Sequence, residues 1–221
     1  MSLRFITLDA DDIESYEHLE TNDSIVYLQE YSSGSSFHTE GNSLIYNLKK
    51  SPDTKGTMQW GYKEQAMTRV ARFISSAMDN LATDEKTVYW IPVPPSKIDT
   101  HEQFDDRMNQ ILIKAKKLSN NPHNIIANNI YQTRNREASS TTNKSRGVEA
   151  LKALEDQYEM RDILGYDAES DLIVIFDDVL TSGCHFRAVK NVVLKSYPNA
   201  EIGGIFVART VKAQQDCNPE F

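Results

Sequence analysis

Two adjacent carboxylates, Asp177 and Asp178, stand directly after the most apolar run in the chain, residues 172–176 (Leu-Ile-Val-Ile-Phe). Such a pair at a strand exit can accept hydrogen bonds from the vicinal hydroxyls of a sugar, or orient a hydrated cation. After Val179 and Leu180 come Thr181 and Ser182, which add hydroxyl donors, Gly183, which permits a tight turn, and Cys184 and His185, which open a helix. The free amides of a helix start point at an anion. Diol recognition and phosphate binding a few residues apart match the dimensions of a ribose 5-phosphate. The bland alternative is an acidic pair and a glycine that merely cap a helix after a core strand.

Other chemistry-bearing residues are sparser. Residues 91–97 read Ile-Pro-Val-Pro-Pro-Ser-Lys, so Ser96 and Lys97 leave another strand in a proline-stiffened loop. A lysine there binds phosphate as a point charge or simply faces solvent. Arg134, Arg136 and Arg146 punctuate a polar segment, residues 132–146, which reads as a mobile loop. Asp105 and Asp106 form a second acidic pair, suited to the first turn of a helix. His18, His38, His101 and His123 are scattered and read as surface residues. Cys184 sits where a helix N-terminus lowers a thiol pKa, although a packing role is the simpler expectation. Trp60 and Trp90 read as core or rim aromatics, with base stacking as the alternative.

The elements that must position these residues alternate between strand and helix from about residue 60 onward, the signature of a parallel sheet covered by helices. Ala66, Val70, Phe73, Ile74, Ala77 and Leu81 predict a helix near 62–82. Residues 87–93 are β-branched and aromatic and predict a strand ended by Pro92, Pro94 and Pro95. Met108, Ile111, Leu112, Ala115 and Leu118 predict a second helix, and residues 124–131 a further strand. A helix carrying Val148, Leu151 and Leu154 precedes the buried central strand 172–176. Phe186, Val189, Val193 and Tyr197 then mark a helix face, and 202–208 the last strand, ended by Arg209. Ahead of all this, residues 24–31 predict a strand, 32–36 a Ser/Gly turn and 43–48 a second short strand, a small N-terminal cap or edge hairpin. Residues 1–60 are thus read as an appendage that does not fold independently, and 61–221 as the α/β domain.

The bulk numbers exclude several classes. The chain has 221 residues, enough for one α/β domain with a full core. No apolar run approaches the roughly 18 residues of a membrane span. Met1 to Asp9 lacks the basic flank and apolar stretch of a secretory signal, so cytoplasmic residence is the expectation. Its two cysteines, Cys184 and Cys217, have no metal-ligand spacing and are expected to be reduced thiols. A formal charge of −8 argues against broad nucleic-acid binding. Acidic residues crowd the first thirty positions, which reads as a solvated surface.

An apolar strand, two acids, Val-Leu-Thr-Ser-Gly and a helix start together resemble the signature of type I phosphoribosyltransferases. The Ile-Pro-Val-Pro run, the Arg-Met-Asn-Gln quartet at 107–110 and the arginine-rich loop look most like the ComF-type branch, without its cysteine-rich zinc module. The resemblance covers roughly residues 85–210 and, weakly, 44–50. It implies a Rossmann-like parallel sheet flanked by helices and binding of phosphoribosyl pyrophosphate. It also implies transfer of the phosphoribosyl group to an acceptor, with magnesium carried mainly by the pyrophosphate. Asp177 and Asp178 would contact the ribose hydroxyls. The phosphate would be wrapped by Thr181, Ser182, Gly183, Cys184 and His185, and pyrophosphate received by Ser96 and Lys97. Arg134, Arg136 and Arg146 would belong to a lid that excludes water. One position departs: His185 stands where the family has Thr or Ser, and an imidazole is larger and titrates. That departure keeps a rival reading open, a ribose-phosphate sensor without turnover. The acceptor is not encoded in any recognisable motif, and a homodimer is left open.

Overall fold

The computed structural model describes residues 4–32, 39–136 and 147–211. In chain order its strands are β1 (Ile6–Thr7), β2 (Ser24–Tyr31), β3 (Val88–Pro92), β4 (Asn124–Ile126), β5 (Ile130–Gln132), β6 (Tyr158–Met160), β7 (Leu172–Leu180) and β8 (Glu201–Thr210). Its helices are α1 (Ala10–Glu14), α2 (Glu40–Leu48), α3 (Met58–Leu81), α4 (Arg107–Leu118), α5 (Val148–Glu155) and α6 (Cys184–Ser196). Six strands form one sheet in the order β1-β2-β8-β7-β3-β4, parallel except for β1, and β5 pairs with β6 in a separate antiparallel ribbon. The chain is therefore a mixed α/β protein with a mostly parallel central sheet flanked by helices. Among the described residues no helix is long and apolar enough to cross a membrane.

Side chains alternate across the sheet with period two, and the two faces have separate cores. Val88 and Trp90 of β3, with Val174 and Phe176 of β7, pack against Leu44, Val70, Ile74 and Ile111 of α2, α3 and α4. Tyr89, Ile91, Ile173 and Ile175 pack against Phe186, Val189 and Val193 of α6. Covered on both faces, β7 is apolar throughout its first five residues, as a central parallel strand must be. Trp90 is fully buried and donates through Nε1 to Asn124 Oδ1 at 2.9 Å, so it is core and not a stacking platform.

The connections place a crevice. From β3 the chain leaves through α4 on one face toward β4, whereas from β7 it leaves through α6 on the other face toward β8. Adjacent parallel strands whose connections diverge in this way open a cleft at their carboxyl ends, where ligands bind in such sheets.

Several sequence expectations are corrected. Residues 43–48 are not a strand but the body of α2: Leu44, Ile45 and Leu48 share one helical face, and Thr39 caps the helix by accepting from Asn42 N at 3.1 Å. Residues 24–31 are the strand expected of them, β2, which with β1 forms the edge of the main sheet and pairs in parallel with β8 along seven residue pairs. Residues 124–131 are two strands, because the chain turns at 127–129 and β5 leaves the sheet for β6. The strand expected to end at Phe176 runs on to Leu180, since the ladder to β8 continues through Asp177↔Phe206 and Leu180↔Arg209. Its pairing with β3 stops at Pro92↔Phe176, where the prolines cannot extend it. The two acids thus sit within the strand, on the edge that the proline loop vacates.

Candidate functional site

At the carboxyl ends of β2, β8, β7 and β3 lies a cavity of about 720 Å³. Its size falls in the range of small-molecule sites. Asp177, Asp178, Thr181, Gly183, Cys184, His185, Ser96, Lys97 and Arg136 all line it, although they come from three separate stretches of sequence. Ser182 and Arg134 do not line it, and Arg146 lies outside the described residues. Ser182 turns toward the N-terminal segment, its carbonyl accepting from His18 N at 3.0 Å. Arg134 is exposed, with its carbonyl accepting from Gln132.

Period two sends the tandem carboxylates to opposite faces of the sheet. Asp178 points toward the α2 to α4 layer. It is bonded there by Arg107 Nη2 and lies 3.6 Å from Lys49 Nζ, just past the end of α2. Arg107 Nη1 reaches Asp105 Oδ2 at 2.8 Å, and the same oxygen accepts from Lys63 Nζ at 2.6 Å. Lys63 is 1% exposed and also donates to the Lys50 carbonyl at 2.7 Å. Five charges thus alternate in sign from the cavity wall into the α2–α3–α4 layer. Burial alone would raise the Asp178 carboxyl, but Lys49 and Arg107 outweigh it and hold the group well below the ordinary carboxylate value. Burial likewise works against the charge on Arg107, yet Asp178 and Asp105 hold its proton more firmly than usual. Burial pulls Lys63 below the usual lysine value despite Asp105.

The acidic pair stands at the start of α4, with Asp106 at the N-cap position, but neither acid makes a side-chain cap bond there. For Asp105 the pairing with Lys63 and Arg107 takes its place. Composition gave no signal for the Lys63 pairing, because Lys63 and Asp105 lie 42 positions apart in sequence.

Asp177 faces α6. Its carboxylate accepts from Asp178 N at 2.8 Å and lies 3.7 Å from His185 Nδ1. On the other side of the ring, His185 Nε2 is 3.1 Å from Arg136 Nη1. A guanidinium only donates, so in this arrangement Nε2 accepts and the ring proton sits on Nδ1, toward Asp177. The histidine that departs from the loop pattern is therefore a bridge between the diol-binding candidate and the arginine of the 132–136 segment. That segment is in turn tied to the proline loop: Gln132 Nε2 and Arg136 N donate to the Ser96 carbonyl at 3.0 and 2.9 Å, and Asn135 Oδ1 accepts from Ile98 N at 3.0 Å.

Gly183 holds φ at +81°, a left-handed conformation that glycine adopts without strain, and it sets the turn between β7 and α6. The Cys184 side chain is buried in the core at 2% exposure, and its backbone amide donates to Ser182 Oγ at 3.4 Å. Burial pushes its thiol up to about 11, and Glu17 and Glu155 act in the same direction. A thiol above its usual value is mostly protonated at pH 8 and a poor nucleophile. In a Cys217→Ser variant, native protein at pH 8 is expected to resist maleimide labelling for hours and to react within minutes in denaturant. Rapid native labelling would contradict this burial.

Two polar atoms of residues lining the cavity, Arg107 Nε and Thr210 Oγ1, are buried without a hydrogen-bond partner. Such groups call for a ligand or water to satisfy them. Among the described residues no group of three or more His, Cys, Asp or Glu stands ready to hold a metal. His18, expected at the surface, is buried against the 181–183 turn.

No protein-family model matches the sequence, and no curated protein matches it. Among the solved structures this chain is similar to are two crystal structures of a hypoxanthine phosphoribosyltransferase from Staphylococcus aureus, in tetragonal and orthorhombic space groups. Each covers 68% of this chain and 76% of its own, with TM-scores of 0.36 and 0.35 and sequence identities of 8% and 9%. At those scores the reading of the site rests on its own geometry.

Proposed function

We propose that the chain binds phosphoribosyl pyrophosphate and transfers its 5-phosphoribosyl group to an acceptor with release of pyrophosphate. The observation that carries this reading is the convergence on one cavity of the tandem carboxylates, the Gly183 turn with its helix-start amides, and the Ser96–Lys97 loop. In this reading the amides of residues 183–185 bind the 5-phosphate. Asp177 and Asp178 accept from the ribose hydroxyls; a carboxylate has about four acceptor positions, so Asp178 can do so while Arg107 holds it. Lys97 and Arg136 face the departing pyrophosphate.

Displacement at the anomeric carbon passes through an oxocarbenium-like state and needs no covalent help from the protein. Negative charge held at Asp177 and Asp178 stabilises the cationic ring, and Lys97 stabilises the charge that develops on the leaving group. Magnesium takes one or two carboxylates and otherwise phosphate oxygens and water, a demand that Asp177 fits; bound with pyrophosphate, it would supply further charge neutralisation.

A second reading, a ribose-phosphate sensor without turnover, is favoured by one observation: His185 is engaged by both Asp177 and Arg136 where a small hydroxyl is expected. Calorimetric titration with phosphoribosyl pyrophosphate, with and without magnesium, is expected to give saturable heat and a rise in Tm. No heat and no stabilisation under any condition would sink both readings. Binding without pyrophosphate release, across nucleobase and amine acceptors, would select the sensor.

A further inference from the structure

The structure assigns a role to the N-terminal segment: we propose that residues 16–23 brace the phosphate-binding turn, with Arg187 as the positioning residue that locks the brace in place. This inference rests on the ribose 5-phosphate reading of residues 181–185. The backbone amide of His18 donates to the Ser182 carbonyl at 3.0 Å. In a trans peptide the C=O and the next N–H point in opposite directions, so fixing this carbonyl outward turns the Gly183 amide inward, toward the cavity. Leu19 seals the same turn from behind. A Cβ on Gly183 would lie 2.8 Å from Leu19 Cδ2.

What holds the segment is a charge cluster outside the cavity, buried at Arg187 and Asp23 and reaching solvent at Glu20. Arg187 Nε donates to the His18 carbonyl at 2.9 Å, its Nη2 pairs with Asp23 Oδ2 at 2.6 Å, and its Nη1 with Glu20 Oε2 at 3.0 Å. Asp23, whose side chain is fully buried, also pairs with Lys190 at 2.6 Å. A planar guanidinium spends all three of its nitrogens on one eight-residue segment, which a lysine could not reproduce. Because Arg187 belongs to α6, the helix that opens at the turn, the segment and the turn move as one body.

The test is a pair of variants, Arg187→Gln and Leu19→Ala, titrated with ribose 5-phosphate and, separately, with magnesium pyrophosphate. Amide exchange at Gly183 is followed in the ligand-free proteins. Lys190 still neutralises Asp23 in Arg187→Gln, and if that variant fails to fold, Leu19→Ala carries the test. The expected result is ribose 5-phosphate binding weakened about tenfold to a hundredfold, the loss of one charge-assisted amide contact, with pyrophosphate affinity unchanged. Exchange at Gly183 should accelerate. Equal weakening of both ligands, or of neither, in a folded variant overturns the brace. If the wild-type protein binds neither ligand, the ribose 5-phosphate reading falls by itself. Unchanged Gly183 exchange in the variants would then overturn the brace separately.

Discussion

Asp178→Asn is expected to lower kcat/KM for phosphoribosyl transfer by about a hundredfold or more and to destabilise the fold at neutral pH. The first effect follows from replacing a charged acceptor by a neutral one at the carbon where positive charge develops. The second follows from the ion pairs. Removing one partner from a buried pair typically costs about 3–5 kcal/mol, and the low end applies because Arg107 retains Asp105 and Lys49 is partly solvated. pH separates the two effects. Lys49 and Arg107 outweigh burial and hold the folded carboxyl below its ordinary value of 3.8. A depressed carboxylate pKa contributes stability that is fully present above the unfolded value and is lost as pH falls through the folded one. Urea denaturation of wild type and variant should therefore differ most above about pH 5 and converge as the pH drops below about 3. A stability gap that stays constant across this range would show that Asp178 is not held as an ion pair.

Gly41→Ala is expected to be the most damaging single methyl in the fold. Gly41 lies in the first turn of α2 against β2, and a Cβ there would sit 2.0 Å from the Glu30 carbonyl oxygen and 3.2 Å from Gln29 Cβ. The obstacle is strand backbone, paired with β8 on its other edge, so it cannot move aside as a side-chain tip would. The helix must lift instead, at an expected cost of about 3 kcal/mol, the upper end for overpacking a core. Lifting α2 also displaces Lys49, which follows its last residue and faces Asp178. Thermal denaturation should register the first consequence. Weaker phosphoribosyl pyrophosphate binding at a temperature where the variant remains folded should register the second. A Tm within about 2 °C of wild type, less than about 1 kcal/mol shifts a chain of this size, would refute the close packing of α2 on β2.

Much of the architecture was legible in the sequence because local patterns carry it. The strand 172–176, the helices around Val70 and Val189, and the proline stop after Ile91 each declare themselves through period and composition. Residues 43–48 mimic a strand because Leu44, Tyr46 and Leu48 fit a short alternating run nearly as well as Leu44, Ile45 and Leu48 fit one turn of helix. The decisive signal, Thr39 as an N-cap, lies outside the apolar stretch. The last four residues of β7 resemble a loop in sequence because two of them are acids. In the fold they occupy strand positions where one neighbour has ended and the cavity begins.

The sequence by itself determined the chemistry on offer: a tandem carboxylate, a glycine turn and a helix start in nine consecutive residues, all of it local and fixed by spacing. Only the tertiary structure decided how that chemistry is tuned. Arg107 meets Asp178 across 71 positions, and Arg187 meets Asp23 across 164. No periodicity links residues so far apart. Their partnership depends on which helix covers which face of the sheet, and that order is set by the burial of two cores rather than by any motif. The same packing turned His185 from a departure in the phosphate loop into a bridge between Asp177 and Arg136.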